Sequence, residues 1–170
     1  MEQDFLKRCT FARASVADAE KIDALYHAVK KSGRENGTTD WDDDYPNRDF
    51  IEEDIKNGFS FVLRFEDEVL AAVSILPEDD LNDCPIQWTP KKACVLARLC
   101  VKPALQGRHV GEYVMRLVSA EAKHQGYEAT RHLAAVANPA SIRLYERMGY
   151  KKLGTAHLYD TDFYAYEMIF

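Results

Sequence analysis

Residues 99–111 read Leu-Cys-Val-Lys-Pro-Ala-Leu-Gln-Gly-Arg-His-Val-Gly, and the architecture of the chain follows from them. They continue an apolar run, Ala93 to Val101 (ACVLARLCV), that suits a largely buried strand. Pro103 ends that strand, because proline has no N–H to give to a sheet ladder. A turn containing Gly107 follows. From Val110 the residues Val114, Leu117, Val118 and Ala122 then recur at helical spacing until Gly126 closes the helix. A strand that passes through a tight turn straight into a helix leaves several amides without intrahelical acceptors. Those amides and the helix dipole favour a bound phosphate. Gly107 and Gly111 have no Cβ, so the backbone there can approach an anion closely.

Working outward, Phe11 to Ala14 reads as a short strand leading to Ser15 or Asp18 as helix cap. The helix after it places Ala19, Ile22, Leu25, Tyr26 and Val29 on one face, with a stop expected near Gly33. Glu35 to Asn47 is polar and reads as a loop, and Arg48 to Asn57 as a short helix with Gly58 as its stop. Ser60 to Phe65 and Val69 to Leu76, joined by Glu66, Asp67 and Glu68, carry a hairpin signal. Downstream come a short strand at Leu133 to Val136 and a helix at Ala140 to Met148 closed by Gly149. Two last strands lie near Tyr150 to Leu158 and Phe163 to Phe170. The pattern predicts an α/β domain over 1–170. Its mixed, mainly antiparallel sheet has about seven strands, with helices on both faces. The hairpins rule out a purely doubly wound sheet.

Composition narrows the function. A chain of 170 residues, 46% apolar and 29% charged, can bury its own core without metal or disulfide staples. Its net charge of -6 speaks against nucleic acid as the main partner, since phosphate backbones need clustered Lys and Arg. No apolar run approaches the roughly 20 residues that span a bilayer, so no membrane partner is expected. The N-terminus (MEQDFLKRCTF) lacks the basic and apolar regions of a secretory signal, and a cytoplasmic location is the expectation. Cys9, Cys84, Cys94 and Cys100 form no C-x-x-C pair and have no zinc spacing, so no metal is expected. Acidic residues gather at Asp40, Asp42, Asp43 and Asp44 around Trp41, and again at Glu78, Asp79, Asp80 and Asp83. Each group reads either as a solvated loop or as an attractor for a cation.

Gln106 to Gly111 resembles the Gln/Arg-x-x-Gly-x-Gly/Ala motif of the GNAT superfamily of N-acetyltransferases, and Leu99 to Pro103 its Leu-x-Val-x-Pro form. About 27 residues after Gly111, Asn138-Pro-Ala-Ser-Ile-Arg-Leu-Tyr-Glu-Arg-Met-Gly-Tyr150 is similar to the later motif of that superfamily. The resemblance implies the acyl-CoA N-acyltransferase fold, acetyl-CoA as co-substrate, and acetyl transfer to a primary amine. It implies that Gln106, Gly107, Arg108, His109, Val110 and Gly111 hold the pyrophosphate. Leu99, Cys100 and Val101 would border the pantetheine arm, and Asn138 and Ser141 would contact the cofactor. Tyr145 would be the general acid that protonates the leaving thiolate. His109 replaces the usual glycine, which is harmless if φ stays negative and the side chain points outward.

The resemblance also implies an acceptor site in the loop bearing Trp41, Asp42, Asp43, Asp44 and Tyr45, suited to a small cationic amine. Trp41 could equally cap the core. Some members use a glutamate as base on the strand before the phosphate turn. Here Val95, Leu96, Ala97 and Arg98 occupy that stretch, which leaves Asp42, Asp43 or Asp44 acting through water. A coenzyme A-binding sensor and a protein N-terminal acetyltransferase are the alternative readings. The C-terminal strand with Tyr164, Tyr166, Met168 and Phe170 could pair with a second copy to give a homodimer, or lie inside the sheet.

Overall fold

Alternation along the central strands sorts their side chains onto two faces of one sheet. A computed structural model describes residues 2–38, 41–77 and 80–170. Of the acidic loops, Asp40, Glu78 and Asp79, and the side chain of Asp80, lie outside the described residues. The strands are β1 (Thr10–Arg13), β2 (Ser60–Phe65), β3 (Glu68–Leu76), β4 (Ala93–Val101), β5 (Ala129–Ala135), β6 (Lys151–Leu158) and β7 (Thr161–Ile169). The helices are α1 (Glu2–Lys7), α2 (Ala19–Asn36), α3 (Arg48–Lys56), α4 (Val110–His124) and α5 (Pro139–Arg147). Seven strands form one sheet in the order β1-β2-β3-β4-β5-β7-β6, antiparallel throughout except where β4 meets β5.

Phe61, Leu63, Ala71 and Val73 face α4, where they meet Val114, Met115 and Val118; Leu6 of α1 and Tyr145 of α5 belong to the same cluster. Val62 and Ala72, one residue out of phase, face Ile22, Leu25 and Tyr26 of α2 and Ile51 of α3. Helices therefore cover both faces, as the period-2 strands and amphipathic helices predict. Each fully buried Leu, Ile or Val in these layers contributes roughly 1.5–3 kcal/mol.

Helix α2 runs a turn past the expected stop: it continues through Gly33 and ends at Gly37, whose φ of 66° supplies the left-handed cap. Glycine inside a helix costs only about 1 kcal/mol, and the packed face of α2 outweighs that. Strand β5 begins at Ala129, ahead of the apolar run that marked it in sequence. The C-terminal strand is internal, since β7 pairs with β5 on one side and β6 on the other. The edges left for any second copy are β1 and β6.

Two irregularities in β4 shape the middle of the sheet. Its parallel ladder with β5 holds three residue pairs, Ala93 with Ala129, Cys94 with Thr130 and Val95 with Arg131, and beyond Val95 the strands diverge. On the other side β3 keeps pairing with β4 to Val101, but the register shifts between Ala72–Cys100 and Ser74–Ala97. One residue of β3 there opposes two of β4, a bulge that puts Arg98 at φ 54°.

Candidate active site

The divergence of β4 and β5 opens a cleft of about 1070 Å³ that runs from the C-terminal end of α2 to the N-termini of α4 and α5. Past the last β5 pair, Leu96 to Val101 present one edge of β4 to this cleft rather than to a strand. Sheet-edge amides and carbonyls of this kind suit an extended ligand that carries amides of its own.

The turn after β4 is built from Pro103–Leu105, a short 3-10 turn, followed by Gly107 at φ 73°. Gln106 Nε2 donates to the Val101 carbonyl at 3.0 Å, so its side chain folds back and ties the turn to the strand end. Gln106, Gly107, His109 and Gly111 line the cleft, as do Leu99, Cys100 and Val101. Arg108 is exposed and Val110 is buried in the core; neither side chain lines it. A Cβ on Gly111 would meet Leu144 at 3.4 Å and Val101 at 3.8 Å, so this glycine also lets α4 approach α5 and β4.

His109 departs from expectation. It caps α4 with φ 60°, not a negative φ, so the residue that replaces glycine stands in the left-handed region. Histidine is among the residues enriched there, which makes it a tolerable replacement for glycine. Its side chain is 70% exposed at the rim of the cleft, with Nδ1 3.6 Å from Glu112 Oε2. Glu112 also meets Arg116 at 2.7 Å and Arg147 at 3.4 Å. The hydrogen bond from Arg116 chiefly holds its carboxyl below the ordinary value. With Arg143 and Arg147 on its wall, this end of the cleft is basic.

Asn138 caps α5: its Oδ1 accepts from Ser141 N at 3.3 Å. Both residues line the cleft, but Asn138 stands just outside the helix and its oxygen serves the backbone. Tyr145, one turn further, is only 7% exposed yet lines the same cleft. Its ring packs on His132 of β5 with centroids 3.8 Å apart, and on Tyr150 and Tyr166. This tyrosine is therefore packed against the sheet and also borders the cleft.

The opposite end is acidic. Asp42, Asp44, Glu53 and Asp54 line it beside Trp41, Tyr45 and Phe50. Asp42 Oδ1 accepts from the amides of Asp44 at 2.9 Å and Tyr45 at 2.7 Å, which closes a tight turn. Asp43 is directed elsewhere: it pairs with Arg34 at 2.8 Å, is 88% exposed, and does not line the cleft. Trp41 packs its ring edge-on to Tyr26 at 5.3 Å, so it caps the second core cluster while bordering the cleft.

Sequence reasoning missed Glu53 and Asp54. Phe50, Glu53 and Asp54 stand at i, i+3 and i+4 on α3, one helical face, and that spacing was the available signal. Arg98 is the charged residue of β4, in the stretch that carries no glutamate, and its guanidinium pairs with Asp54 at 2.8 Å. Among the described residues no group of three His, Cys, Asp or Glu could hold a metal ion, and no helix is long and apolar enough to cross a membrane.

Comparison with known proteins adds to this geometry. A GNAT-family acetyltransferase from Streptococcus agalactiae superposes with a TM-score of 0.80 at 18% identity, covering 95% of each chain. The ribosomal-protein-S18-alanine N-acetyltransferase of Escherichia coli gives 0.70 at 13% identity over 95% of this chain and 93% of its own. Agmatine N-acetyltransferase gives 0.68 at 15% identity over 96% and 100%. At these identities the likeness shows the fold. No curated protein matches the sequence. The sequence itself matches the acetyltransferase (GNAT) family over residues 22–150, most of its length, and the chain belongs to that family of acyltransferases.

Proposed function

We propose that this protein, as one domain over 1–170, transfers an acetyl group from acetyl-CoA to the primary amine of a small cationic acceptor, with Tyr145 as general acid. What supports this reading is the polarity of one continuous cleft. Its basic end holds the glycine turn and the α4 N-terminus, its acidic end holds Asp42, Asp44 and Glu53, and Tyr145 lies on its wall. Acetyl-CoA supplies the activated thioester. Gly107, His109 and Gly111 would present backbone amides to its pyrophosphate, and the free edge of β4 at Leu99 to Val101 would run beside its pantetheine arm.

The chain's own groups favour direct transfer. Cys100 is the thiol on the cleft wall, and burial pushes it up to about 12, far from a nucleophilic thiolate at neutral pH. Such a thiol is poorly suited to an acyl-cysteine relay, which needs an activated thiolate as nucleophile. Tyr145 would hand its phenolic proton to the departing sulfur. The ammonium of the acceptor must first lose a proton, and Asp42, Asp44 and Glu53 are the exposed carboxylates on the wall that can take it through water. The acidic wall would also concentrate cations. Agmatine, the substrate named for one structural neighbour, is such a cation.

Calorimetric titration with acetyl-CoA, followed by turnover with agmatine, spermidine, acidic amino acids and a peptide with a free N-terminus, tests the reading. Micromolar donor binding and preferential acetylation of the polyamines support it. Preference for acidic acceptors or for the peptide would overturn the acceptor class, and failure to bind acetyl-CoA would overturn the donor.

A further inference from the structure

Arginine has no intrinsic preference for the left-handed backbone it adopts at the β4 bulge, so a favourable role for the Arg98 side chain is indicated. Its Nε and Nη2 donate to the two oxygens of Asp54 at 2.9 and 2.8 Å, and both side chains are less than a tenth exposed. Asp54 accepts a third bond, from Ser74 Oγ at 2.6 Å. With the carboxylate satisfied, Nη1 turns the other way and donates to Tyr45 Oη at 3.4 Å. The guanidinium also lies 5.2 Å from the centre of the Phe50 ring, onto which Tyr45 packs edge-on at 5.0 Å. Tyr45 belongs to the turn that Asp42 closes, since Asp42 N donates to its carbonyl at 3.1 Å and Asp42 Oδ1 accepts from its amide. One planar guanidinium thus joins α3, strand β4 and the loop that bears Asp42 and Asp44. A lysine could not hold all of these contacts, because it lacks the fork of fixed N–H groups.

We propose that Arg98 is the positioning residue for the amine acceptor: it tethers loop 41–47 to the bulge of β4, so that the acceptor wall stands at a fixed distance from the strand along which the donor lies. This rests on the acetyl-transfer reading above. Arg98 touches no reacting atom. Its charge is neutralised by Asp54, and its effect passes through Tyr45. Loosening the tether degrades acceptor binding and leaves the glycine turn and Tyr145 untouched.

The test uses the full chain with Tyr45→Phe and Arg98→Lys. Tyr45 is 36% exposed, so its phenylalanine variant keeps the packing on Phe50 and loses only the hydrogen bond. Three quantities are read: acetyl-CoA affinity by calorimetry, KM and kcat for agmatine at saturating acetyl-CoA, and hydrogen exchange of residues 41–47 by mass spectrometry. The expected result for Tyr45→Phe is an unchanged melting temperature, donor affinity within about twofold, exchange in 41–47 faster by severalfold, and an acceptor KM about tenfold higher at similar kcat. The double variant should be no worse than Arg98→Lys alone, because both changes cut one link. Wild-type exchange in 41–47 together with a wild-type KM in Tyr45→Phe would overturn the proposal. If wild-type protein acetylates no amine, the functional reading fails, while the exchange measurement still decides whether the tether exists. Should Arg98→Lys fail to fold, Tyr45→Phe decides it alone.

Discussion

His132 is buried among the aromatic rings of the sheet's inner layer, its ring tilted 46° against that of Tyr145, and among the described residues neither of its nitrogens has a hydrogen-bond partner. Burial disfavours the imidazolium and lowers its pKa from 6.5 to about 3. Between those values the unfolded chain binds a proton that the folded chain refuses. Stability is therefore untouched by this group above about pH 6.5 and falls as pH drops from there toward 3, by up to roughly 1 kcal/mol per pH unit. His132→Phe keeps a ring of similar size, removes two unsatisfied polar atoms and deletes that slope. We expect it to be at least as stable as wild type at pH 7 and flatter in its urea midpoint between pH 6.5 and 4. A variant that unfolds more readily at pH 7 would show that the imidazole makes a contact worth keeping. Above it, Tyr145→Phe should lower kcat by about 100-fold while acetyl-CoA affinity and melting temperature hold. A loss of stability with no loss of kcat would reduce Tyr145 to a packing residue.

At the scale of elements, the strand–turn–helix unit around Gly107 concentrates both the fold and the proposed donor site. A Cβ at Gly107 meets nothing within 4 Å, so Gly107→Ala fails for the backbone and not for space. Its φ of 73° costs a non-glycine residue roughly 1 kcal/mol, which lowers the melting temperature by about 2–4 °C. If the turn's amides hold pyrophosphate, acetyl-CoA affinity should fall along with it; differential scanning calorimetry and donor titration separate the two effects. The elements of this unit were readable in sequence because proline and glycine punctuate them and apolar spacing fills the gaps. Strand β5 was partly hidden, since Thr130, Arg131 and His132 look polar. In the fold Thr130 meets Tyr150 at 2.9 Å and Arg131 meets Glu167 at 2.8 Å, contacts made 20 and 36 residues away. The Arg98–Asp54 pair spans 44 residues and was illegible for the same reason: local pattern carries no record of distant partners. A lone arginine inside an apolar strand was the one hint. Of the acidic loop, sequence could not tell that Asp43 turns out toward Arg34 while its neighbours line the cleft.

At the scale of the whole molecule, a net charge of -6 is not evenly felt: the cleft is basic at the α4 end and acidic near α3. Attraction of a cation to exposed carboxylates is screened by salt, so KM for agmatine should rise severalfold between about 20 and 300 mM salt. A salt-independent KM would mean that the acidic wall does not attract the acceptor. The sheet carries a second consequence. Its strand order is continuous, but the halves β1–β4 and β5–β7 are directly joined by three residue pairs, after which β4 and β5 part. Mechanically these are two plates stitched along a short seam, with α4 packed across it. Opening along that seam breaks few backbone bonds, so amide exchange is expected to be faster at the β4–β5 junction than within either plate. A ligand laid along the open edge of β4 would extend the stitching, so that occupancy and stiffness would rise together.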